Sequence, residues 1–265
     1  MPGFEVIGEE ERLAVDRIFT KGNGVLFAHG FDALREKFHV REFEAAFAKK
    51  VGATYALAVT SGSTALLVAL KALGIKPGDE VITQSFTFVA TVEAILMLGA
   101  TPILTEVDAT YNMDPEDLKQ KITSKTKAII PVHMAGVAAN MSAIKDIANA
   151  HSIPVLEDTA QGIGATYNGK MLGTLGDLGA YSLDFGKTIT CGEGGVIVTD
   201  NEALYQNCLA FHDHGHEYNP SVGRAEDTRS SWGLNFRMNE MSAAVASVQL
   251  NKLDMMLDKA CVVKD

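Results

Sequence analysis

The sequence predicts an α/β protein with a mainly parallel central sheet covered by helices on both faces. Short apolar runs alternate with amphipathic stretches between residues 40 and 158, the pattern of strands and helices in turn. Glycines such as Gly74 and Gly99 follow the amphipathic stretches, where they are typical of helix ends. A chain of 265 residues is at the upper end for one domain and allows one large core with an appendage.

The elements are predicted in order from these signals. Residues 1–38 contain scattered glycines and are expected to be irregular apart from a helix at Glu9–Phe19. Apolar residues then recur at helical spacing at positions 40, 43, 47 and 51. The strands that follow are Tyr55–Thr60, Glu80–Gln84, Pro102–Glu106, Lys127–Val132 and Pro154–Glu157. The helices between them are Ser63–Leu73, Phe88–Leu98, Pro115–Lys121 and Ser142–Ala150. Right-handed crossovers would bring the carboxyl ends of these strands to one edge of the sheet.

The pattern changes after residue 158. Leu178–Leu183 and Val196–Thr199 are predicted to be consecutive strands, joined by a loop that contains Lys187. A helix at Glu202–Phe211 follows, then a long polar loop over residues 212–236. The last predicted element is an amphipathic helix at Met238–Leu257.

Composition narrows the classes of protein to which the chain can belong. A net charge of −10 argues against non-specific nucleic-acid binding, which needs a basic surface. Cys191, Cys208 and Cys261 have no paired spacing and are predicted to be reduced thiols. The first residues do not resemble a signal peptide, and no apolar run reaches the roughly 18 residues of a membrane span. Together these features predict a cytoplasmic protein.

Lys187 carries the strongest chemical signal. It lies in Tyr181–Thr188, directly before the glycine-rich run 191–195, and Asp158 follows an apolar strand upstream. Pyridoxal phosphate chemistry requires this pair, because the lysine amine forms an imine with the cofactor aldehyde while a carboxylate keeps the pyridine nitrogen protonated. To act as a base near neutral pH, the lysine needs its pKa lowered by about three units from about 10.4. Burial beside a cofactor can lower the pKa by that amount. The alternative is an ordinary surface lysine.

Ser61–Leu66 follows a strand and opens a helix. Free N–H groups at a helix start, with small hydroxyl residues, can bind phosphate. An ordinary helix cap by Ser61 or Ser63 is the alternative. The segment matches neither a Walker loop nor the dinucleotide-binding glycine pattern.

Other polar and aromatic residues follow strands on the same predicted edge. Gln161 could face the same ligand as Asp158 or face solvent, and Asp158 itself could be a turn cap. Phe86 or Phe88 could stack on a pyridine ring, with core packing as the alternative for each.

His212, His214 and His216 alternate in the long polar loop. Imidazole is a common zinc ligand, but no cysteine pair or second histidine cluster accompanies them. Substrate or loop contacts are therefore favoured over a metal site, and no metal is predicted.

Seven motifs, in this order along nearly the whole chain, resemble the DegT/DnrJ/EryC1/StrS sugar aminotransferases, which are fold-type I pyridoxal phosphate enzymes. The motifs are Val40–Glu44, Ser61–Leu66, Ser85–Thr91, Pro131–His133, Glu157–Gln161, Gly192–Gly195 and Gly233–Met238. The resemblance implies a three-layer large domain with a mainly parallel sheet.

The resemblance also implies a role for each matching residue. Lys187 would bind the cofactor covalently and move protons, and Asp158 would pair with the pyridine nitrogen. Phe88 would stack on the ring, and Gln161 would lie near the ring hydroxyl. The phosphate would be held by Gly62, Ser63, Thr64 and Ser182. Asn235 would reach the phosphate of a neighbouring subunit, which implies a homodimer with shared active sites.

The implied reaction moves an amino group from an amino acid, typically glutamate, to a keto-sugar used in cell-surface polysaccharide or lipopolysaccharide. Relatives with histidine in place of the lysine are dehydratases, so Lys187 favours amino transfer. The residues Met1–Glu5 and the segment Asp213–His216 look like the branch that aminates an eight-carbon keto-sugar acid, 8-amino-3,8-dideoxy-octulosonate being the product.

The chain departs from the family at its C-terminal end. Family members continue into a small domain of about a hundred residues. The implied division is an N-terminal segment at 1–38, a pyridoxal phosphate-binding domain at 39–258, and the start of a small domain at 259–265. A catalytically silent cofactor-binding protein and a pyridoxal-dependent dehydratase or racemase are therefore kept as alternatives.

Overall fold

The structure is a computed structural model that describes residues 2–219, 221–229 and 231–262. Short 3-10 turns lie at Gly3–Val6, Asp32–Leu34 and Met134–Gly136. The helices are α1 (Glu9–Thr20), α2 (His39–Val51), α3 (Gly62–Ala72), α4 (Val89–Met97), α5 (Pro115–Lys121), α6 (Met141–His151), α7 (Glu202–His212) and α8 (Glu240–Val262). The strands are β1 (Tyr55–Val59), β2 (Glu80–Gln84), β3 (Thr101–Thr105), β4 (Thr126–Ile130), β5 (Leu156–Asp158), β6 (Thr166–Tyr167), β7 (Lys170–Met171), β8 (Leu178–Ser182) and β9 (Gly195–Thr199).

In the part of the chain that the structure describes, seven strands form the central sheet in the order β3-β2-β4-β5-β8-β9-β1. Parallel bridges from Ile129 to Val155 and from Val132 to Asp158 join its two halves. β9 is antiparallel to both of its neighbours, and the other pairs are parallel. The prediction of a mainly parallel α/β sheet is confirmed.

Apolar helix faces cover the sheet on two sides. α3, α4 and α7 pack over one face around Leu66, Leu70 and Ile95. α2 and α8 pack over the other face, where Phe43, Phe47 and their neighbours meet the strands. Because residues on both faces of the central strands are buried, the sequences of these strands are continuous apolar runs and do not alternate between apolar and polar residues.

The element bounds differ from the sequence prediction in a few places. β5 begins two residues later than predicted and includes Asp158, which is therefore the last residue of a strand. A small hairpin, β6–β7, was not predicted. Its turn residues Asn168 and Gly169 both have positive φ, which is the geometry of a tight two-residue turn. α8 continues without a break across residue 258, where the domain boundary is expected.

Candidate active site

The predicted ligand edge holds a cavity of about 330 Å³ at the carboxyl ends of the strands. It lies where β5 and β8 end and where α3 and α4 begin, so several loops converge on it. The lining residues are Ser61, Gly62, Ser63, Leu66, Thr87, Phe88, Ala90, Thr91, Val132, Asp158, Ala160, Gln161, Ser182, Asp184, Lys187 and Glu193. The structure therefore brings seven of the nine predicted site residues to one cavity.

Asp158 forms the buried end of this cavity. Its Oδ2 accepts a hydrogen bond of 2.7 Å from the Thr91 hydroxyl, and its Oδ1 accepts one of 3.1 Å from the Ala160 N–H. Burial raises the pKa of Asp158, while the two hydrogen bonds and the positive charge of Lys187 oppose that rise. A carboxylate desolvated in this way gains from a cationic partner in the cavity.

A second buried carboxylate, Glu157, supports the strand end from behind. It accepts hydrogen bonds from the backbone N–H groups of Gly173 (2.8 Å), Leu175 (2.6 Å) and Gly176 (2.6 Å). His133 Nδ1 accepts the Ala139 N–H at 3.1 Å, so its Nε2 carries the proton and donates to Glu157 at 2.9 Å. These bonds fix the end of β5 and thereby the backbone of Asp158.

The start of α3 lines the cavity as well. Ser61 caps the helix, since its Oγ accepts the Thr64 N–H at 3.1 Å and Thr64 Oγ1 accepts the Ser61 N–H at 2.9 Å. A Cβ added to Gly62 would lie 2.7 Å from the Cβ of Ser182, so only glycine lets α3 approach β8 this closely. The approach places free helix N–H groups beside the hydroxyls of Ser63 and Ser182, which is an arrangement that favours an anion.

Lys187 lies on a turn between β8 and β9, half-buried at the mouth of the cavity. Its backbone N–H donates to the Asp184 carbonyl at 3.0 Å, which closes the turn. The carboxylates of Asp184 and Glu193 line the same mouth. The lysine amine thus belongs to the cavity that Asp158 closes at its buried end.

The aromatic residues of the edge are not part of the core. Phe88 is 68% exposed and lines the cavity, and Phe86 is 51% exposed. Core packing, the alternative for both, is therefore wrong for these rings. Gln161 also lines the cavity, and its Oε1 accepts the Ala135 N–H at 3.0 Å.

Two predicted site residues lie elsewhere. The Thr64 hydroxyl is engaged in the helix cap, donating to the Ser61 carbonyl at 2.8 Å, and does not line the cavity. Asn235 lies beside Asp213 in an antiparallel bridge, away from this cavity. A contact from Asn235 would be made to a second subunit, so its position within one chain does not test that contact. The predicted phosphate contacts of Thr64 and Asn235 stay predictions.

The three histidines of the polar loop do not converge. His212 is buried, and desolvation lowers its pKa to about 4. His216 is bonded to Asp227 at 3.0 Å, and His214 has a left-handed backbone. Within residues 2–219, 221–229 and 231–262, no group of three or more His, Cys, Asp or Glu side chains is placed to hold a metal. Cys261 has no described side chain.

The loop also contains a buried charge cluster that sequence reasoning missed. Asp213 accepts two hydrogen bonds from Arg224 (2.5 and 2.6 Å), one from Arg237 and one from Tyr218 (2.5 Å). Burial alone would raise the pKa of Asp213, but the hydrogen bonds and the two guanidinium charges hold it well below its usual range. The cluster ties the loop together outside the cavity.

Sequence reasoning missed some lining residues as well. Thr91, Asp184 and Glu193 face the cavity, although no role was assigned to them. Thr87 and Thr91 are four residues apart at the start of α4 and share a hydrogen bond of 2.8 Å. The spacing of four residues, about one helical turn, was the feature of the sequence from which a role for Thr91 could have been predicted.

The residues present fit pyridoxal phosphate. A buried carboxylate, an anion-binding helix start made possible by Gly62, and a lysine share a cavity of about 330 Å³. The ring nitrogen, the aldehyde and the phosphate arm of this cofactor need a carboxylate, a lysine and an anion site, respectively. A Cβ at position 62 would lie 3.0 Å from the Ser182 hydroxyl oxygen, within the proposed anion site.

Comparisons with known proteins agree with this geometry. A family model described as the DegT/DnrJ/EryC1/StrS aminotransferase family matches residues 31–261. GDP-perosamine synthase of Escherichia coli O157:H7 is 39% identical over 232 residues, covering 86% of this chain and 61% of that protein. 3-Amino-5-hydroxybenzoate synthase of Amycolatopsis mediterranei is 42% identical over 220 residues, covering 81% and 55%.

Solved structures share the fold. The aminotransferase from Psychrobacter cryohalolentis has a TM-score of 0.86 and 37% identity, covering 94% of this chain and 63% of that chain. NtdA from Bacillus subtilis, with bound cofactor PMP, has a TM-score of 0.82 and 32% identity, covering 94% and 55%. The architecture is the type I fold of pyridoxal phosphate aminotransferases. The C-terminal part is shorter than in these structures, and the chain spans 55–61% of the curated relatives' length.

None of the helices in the described part of the chain is long and apolar enough to cross a membrane.

Proposed function

The chain belongs to the DegT/DnrJ/EryC1/StrS aminotransferase family, and on that premise we propose that it transfers an amino group from an amino acid to a keto-sugar. The family cofactor is pyridoxal phosphate. The observation that carries the proposal is a single cavity lined by Lys187, Asp158 and the start of α3. The three groups correspond to the covalent, ring and phosphate contacts of that cofactor.

Each group has a distinct task in the proposed reaction. Bound pyridoxal phosphate supplies an electron sink for the substrate α-carbon. Asp158 would hold the protonated ring nitrogen, and its burial makes that charge pairing strong. The N–H groups at the start of α3, with Ser63 and Ser182, would bind the phosphate. Lys187 would hold the cofactor covalently and then carry a proton on Nζ to and from the substrate carbon.

The remaining predicted contacts belong to the same proposal. Phe88 is supported as a stacking residue by its exposed ring at the cavity. Gln161 would contact the ring hydroxyl from the loop after β5. Thr64 would support the phosphate site through the helix cap that it forms with Ser61.

The substrate proposal rests on relatives and on resemblance. Proteins similar to this chain include a GDP-perosamine synthase and a spore coat polysaccharide biosynthesis protein. We infer a keto-sugar of cell-surface polysaccharide, with glutamate as amino donor. The resemblance of the first residues and of Asp213–His216 to one branch favours an eight-carbon keto-sugar acid.

A pyridoxal-dependent dehydratase is the second candidate. GDP-4-keto-6-deoxymannose-3-dehydratase (ColD) shares the fold with a TM-score of 0.81 and 31% identity. Lys187 favours amino transfer, because the dehydratases of the family have histidine at this position. Product analysis with a keto-sugar separates the two: an amino-sugar supports the first candidate, and a deoxy-sugar without nitrogen supports the second.

Replacement of the lysine tests the proposal most directly. Lys187→Ala should lower amino transfer by at least about 10³-fold, since no other group supplies the covalent contact and the proton. Borohydride treatment of the wild-type protein with cofactor should fix a pyridoxyl group on Lys187, detected by peptide mass spectrometry. The exposed Lys170→Ala is the matched control.

The outcome also decides the catalytically silent alternative. Glutamate should convert the bound cofactor of the wild type to its amine form, with a change of absorbance. Retention of cofactor without this conversion would establish a binding protein that does not turn over. Adduct formation at another lysine would refute the role of Lys187.

The division of the chain and its assembly are further parts of the proposal. We infer a cofactor-binding domain at 39–258, an N-terminal segment at 1–38 and the start of a small domain at 259–265. We also infer a cytoplasmic homodimer in which Asn235 reaches the partner's phosphate. Mixing Lys187→Ala with Asn235→Ala should restore part of the activity if subunits share sites, and a monomeric mass in solution would contradict the dimer.

A further inference from the structure

The lysine turn, residues Asp184–Thr188, has little internal support. Two hydrogen bonds lie within it: the Lys187 N–H donates to the Asp184 carbonyl at 3.0 Å, and the Gly186 N–H donates to Asp184 Oδ1 at 3.2 Å. Phe185 and Gly186 are exposed, and only the next residue, Ile189, is anchored in the core. Such a turn needs contacts from another part of the chain to hold one conformation.

The 3-10 turn at Gly3–Val6 supplies these contacts. The Gly3 N–H donates to the Lys187 carbonyl at 2.8 Å. The ring of Phe4 stacks on that of Phe185, with centroids 4.6 Å apart and planes at 10°. A hydrogen bond and an aromatic stack therefore act on neighbouring residues of the lysine turn from one side.

Gly3 fits a site that tolerates no side chain. A Cβ there would lie 2.5 Å from Gln249 Oε1, 2.9 Å from the Thr188 carbonyl oxygen and 3.0 Å from the Thr190 nitrogen. Two of these atoms belong to the backbone on either side of Ile189. Any larger residue would push the 3-10 turn away from the lysine turn or displace both.

The 3-10 turn is itself anchored to two helices. Lys252 Nζ on α8 donates to the Val6 carbonyl at 3.1 Å and pairs with Glu11 of α1 at 2.7 Å. Gln249 Nε2 donates to the Glu11 carboxylate at 2.8 Å. Burial alone would raise the pKa of Glu11, but hydrogen bonds from Lys252, Gly8 and Gln249 lower it, so the carboxylate stays charged. The support behind Gly3 and Phe4 is therefore rigid.

We propose that Gly3 and Phe4 are positioning residues for Lys187, holding its turn so that the amine points into the cofactor cavity. The inference rests on the proposed function, in which Lys187 must reach both cofactor and substrate carbon. A displacement of about 1 Å at a reacting group can lower a rate by about a hundred-fold. Residues far from the cavity in sequence thus determine the geometry of its reacting amine.

Hydrogen exchange tests the contact without any cofactor. In the full chain, deuterium uptake of the peptide containing residues 184–190 should be about five-fold faster in Phe4→Ala and Gly3→Ala than in the wild type. Phe19→Ala removes an exposed ring from α1 and is the matched control, with unchanged uptake expected in this peptide. Unchanged uptake in Phe4→Ala, or equal acceleration in Phe19→Ala, would overturn the proposal.

A double-mutant cycle separates positioning from general loosening. Phe4 and Phe185 are both partly exposed, so their alanine variants should fold. If the aromatic stack carries the effect, Phe4→Ala should accelerate deuterium uptake when Phe185 is present. The same substitution should have no further effect in a protein that already carries Phe185→Ala. Additive effects in the double variant would count against the proposal.

The loaded protein gives the functional readout. Phe4→Ala should lower kcat about five-fold with KM unchanged, and should shift the pH midpoint of the cofactor absorbance, since the lysine amine is displaced. Faster exchange with an unchanged midpoint and kcat would overturn a positioning role. Absence of any cofactor adduct at Lys187 in the wild type would instead defeat the proposed function, while the exchange experiment would still decide the contact.

Discussion

The buried end of the cofactor cavity, at Asp158, and the lysine turn at its mouth are built in different ways. Asp158 is the last residue of a buried strand, and the neighbouring Glu157 accepts four hydrogen bonds that lock the strand end. Lys187 lies on a partly exposed turn that Gly3 and Phe4 contact from a distant part of the chain, beside a 3.3 Å bond from the Asp184 N–H to the Ser182 hydroxyl. A residue in a strand is held by hydrogen bonds to the strands beside it in the sheet. A partly exposed turn depends for its conformation on contacts from segments distant in the sequence.

The difference matches what each group must do in the proposed reaction. A carboxylate that pairs with a ring nitrogen can stay fixed throughout. A lysine that changes from covalent partner to proton carrier must move its side chain, while the backbone turn that carries it is held from outside by Gly3 and Phe4. We therefore expect loss of the Glu157 bonds behind Asp158 to lower stability strongly, and variants at the lysine turn to affect rate more than stability.

Glu157→Gln should have the largest effect on stability. The amide NH₂ would meet backbone donors that now bond to a carboxylate, and the buried pair with His133 would be lost. We expect the free energy of unfolding to fall by about 3 kcal/mol, measured by urea titration. Glu116→Gln, on the exposed helix α5, should change it by less than about 0.5 kcal/mol. Equal values for the two variants would show that the Glu157 bonds do not lock the strand end that carries Asp158.

Gly62→Ala should have the next largest effect, and it should appear in cofactor affinity. The added Cβ would lie 2.7 Å from the Ser182 Cβ, so α3 must move away from β8 and widen the phosphate site. We expect stability to fall by about 1–2 kcal/mol. Cofactor affinity, measured by fluorescence titration, should weaken by about ten-fold or more.

Gly223→Ala is the control for this variant. Nothing lies within 4 Å of a Cβ added at Gly223, and its φ is not positive. Its cofactor affinity should match that of the wild type. A Gly62→Ala protein with wild-type affinity would show that the close approach of α3 and β8 does not form the phosphate site.

Asp158→Asn should have the smallest effect on stability, and that effect should depend on pH. Burial raises the folded-state pKa of Asp158 above its ordinary value of 3.8. Its contribution to stability is thus complete below that ordinary value and is lost as pH rises through the folded-state pKa. The asparagine variant does not titrate, so without cofactor its melting temperature minus that of the wild type should increase by a few degrees from about pH 4 to about pH 8.

Asn149→Ala replaces an exposed amide on α6 and should give a difference that does not vary with pH. The same Asp158→Asn variant should be impaired in amino transfer by about a hundred-fold, because the neutral amide does not hold the ring nitrogen's proton. A pH-independent difference for Asp158→Asn would show that its carboxyl is no harder to ionise in the folded chain than in the unfolded one.

Much of the fold could be predicted because its signals are local. Periodicity and glycine stops placed α3 and β2 within a residue or two, since buried strands and amphipathic helices each leave a pattern in the sequence. The hairpin β6–β7 was missed because strands of two residues are too short to show any periodicity.

For the site residues too, those beside a local sequence signal could be predicted and those without one could not. Asp158 and Lys187 were predicted because each follows or lies between recognisable strands and glycines, whereas the role of Gly62 came from the family resemblance. Asp213 and its arginines were not predicted, because a buried charge cluster formed from scattered loop residues leaves no periodic signal. Glu157 was quoted in a motif, but its bonds to residues 173–176 are visible only when β5 and the following loop are packed together.

The sequence by itself determined the sheet, the order of its strands along the chain and the residue types that a pyridoxal phosphate site needs, because these depend on hydrophobic periodicity and local backbone preference. Only the tertiary structure decided that Gly3 and Phe4 reach the lysine turn and that Phe88 is exposed at the cavity. Contacts between segments more than 180 residues apart depend on how helices and strands pack, and no local pattern encodes that packing.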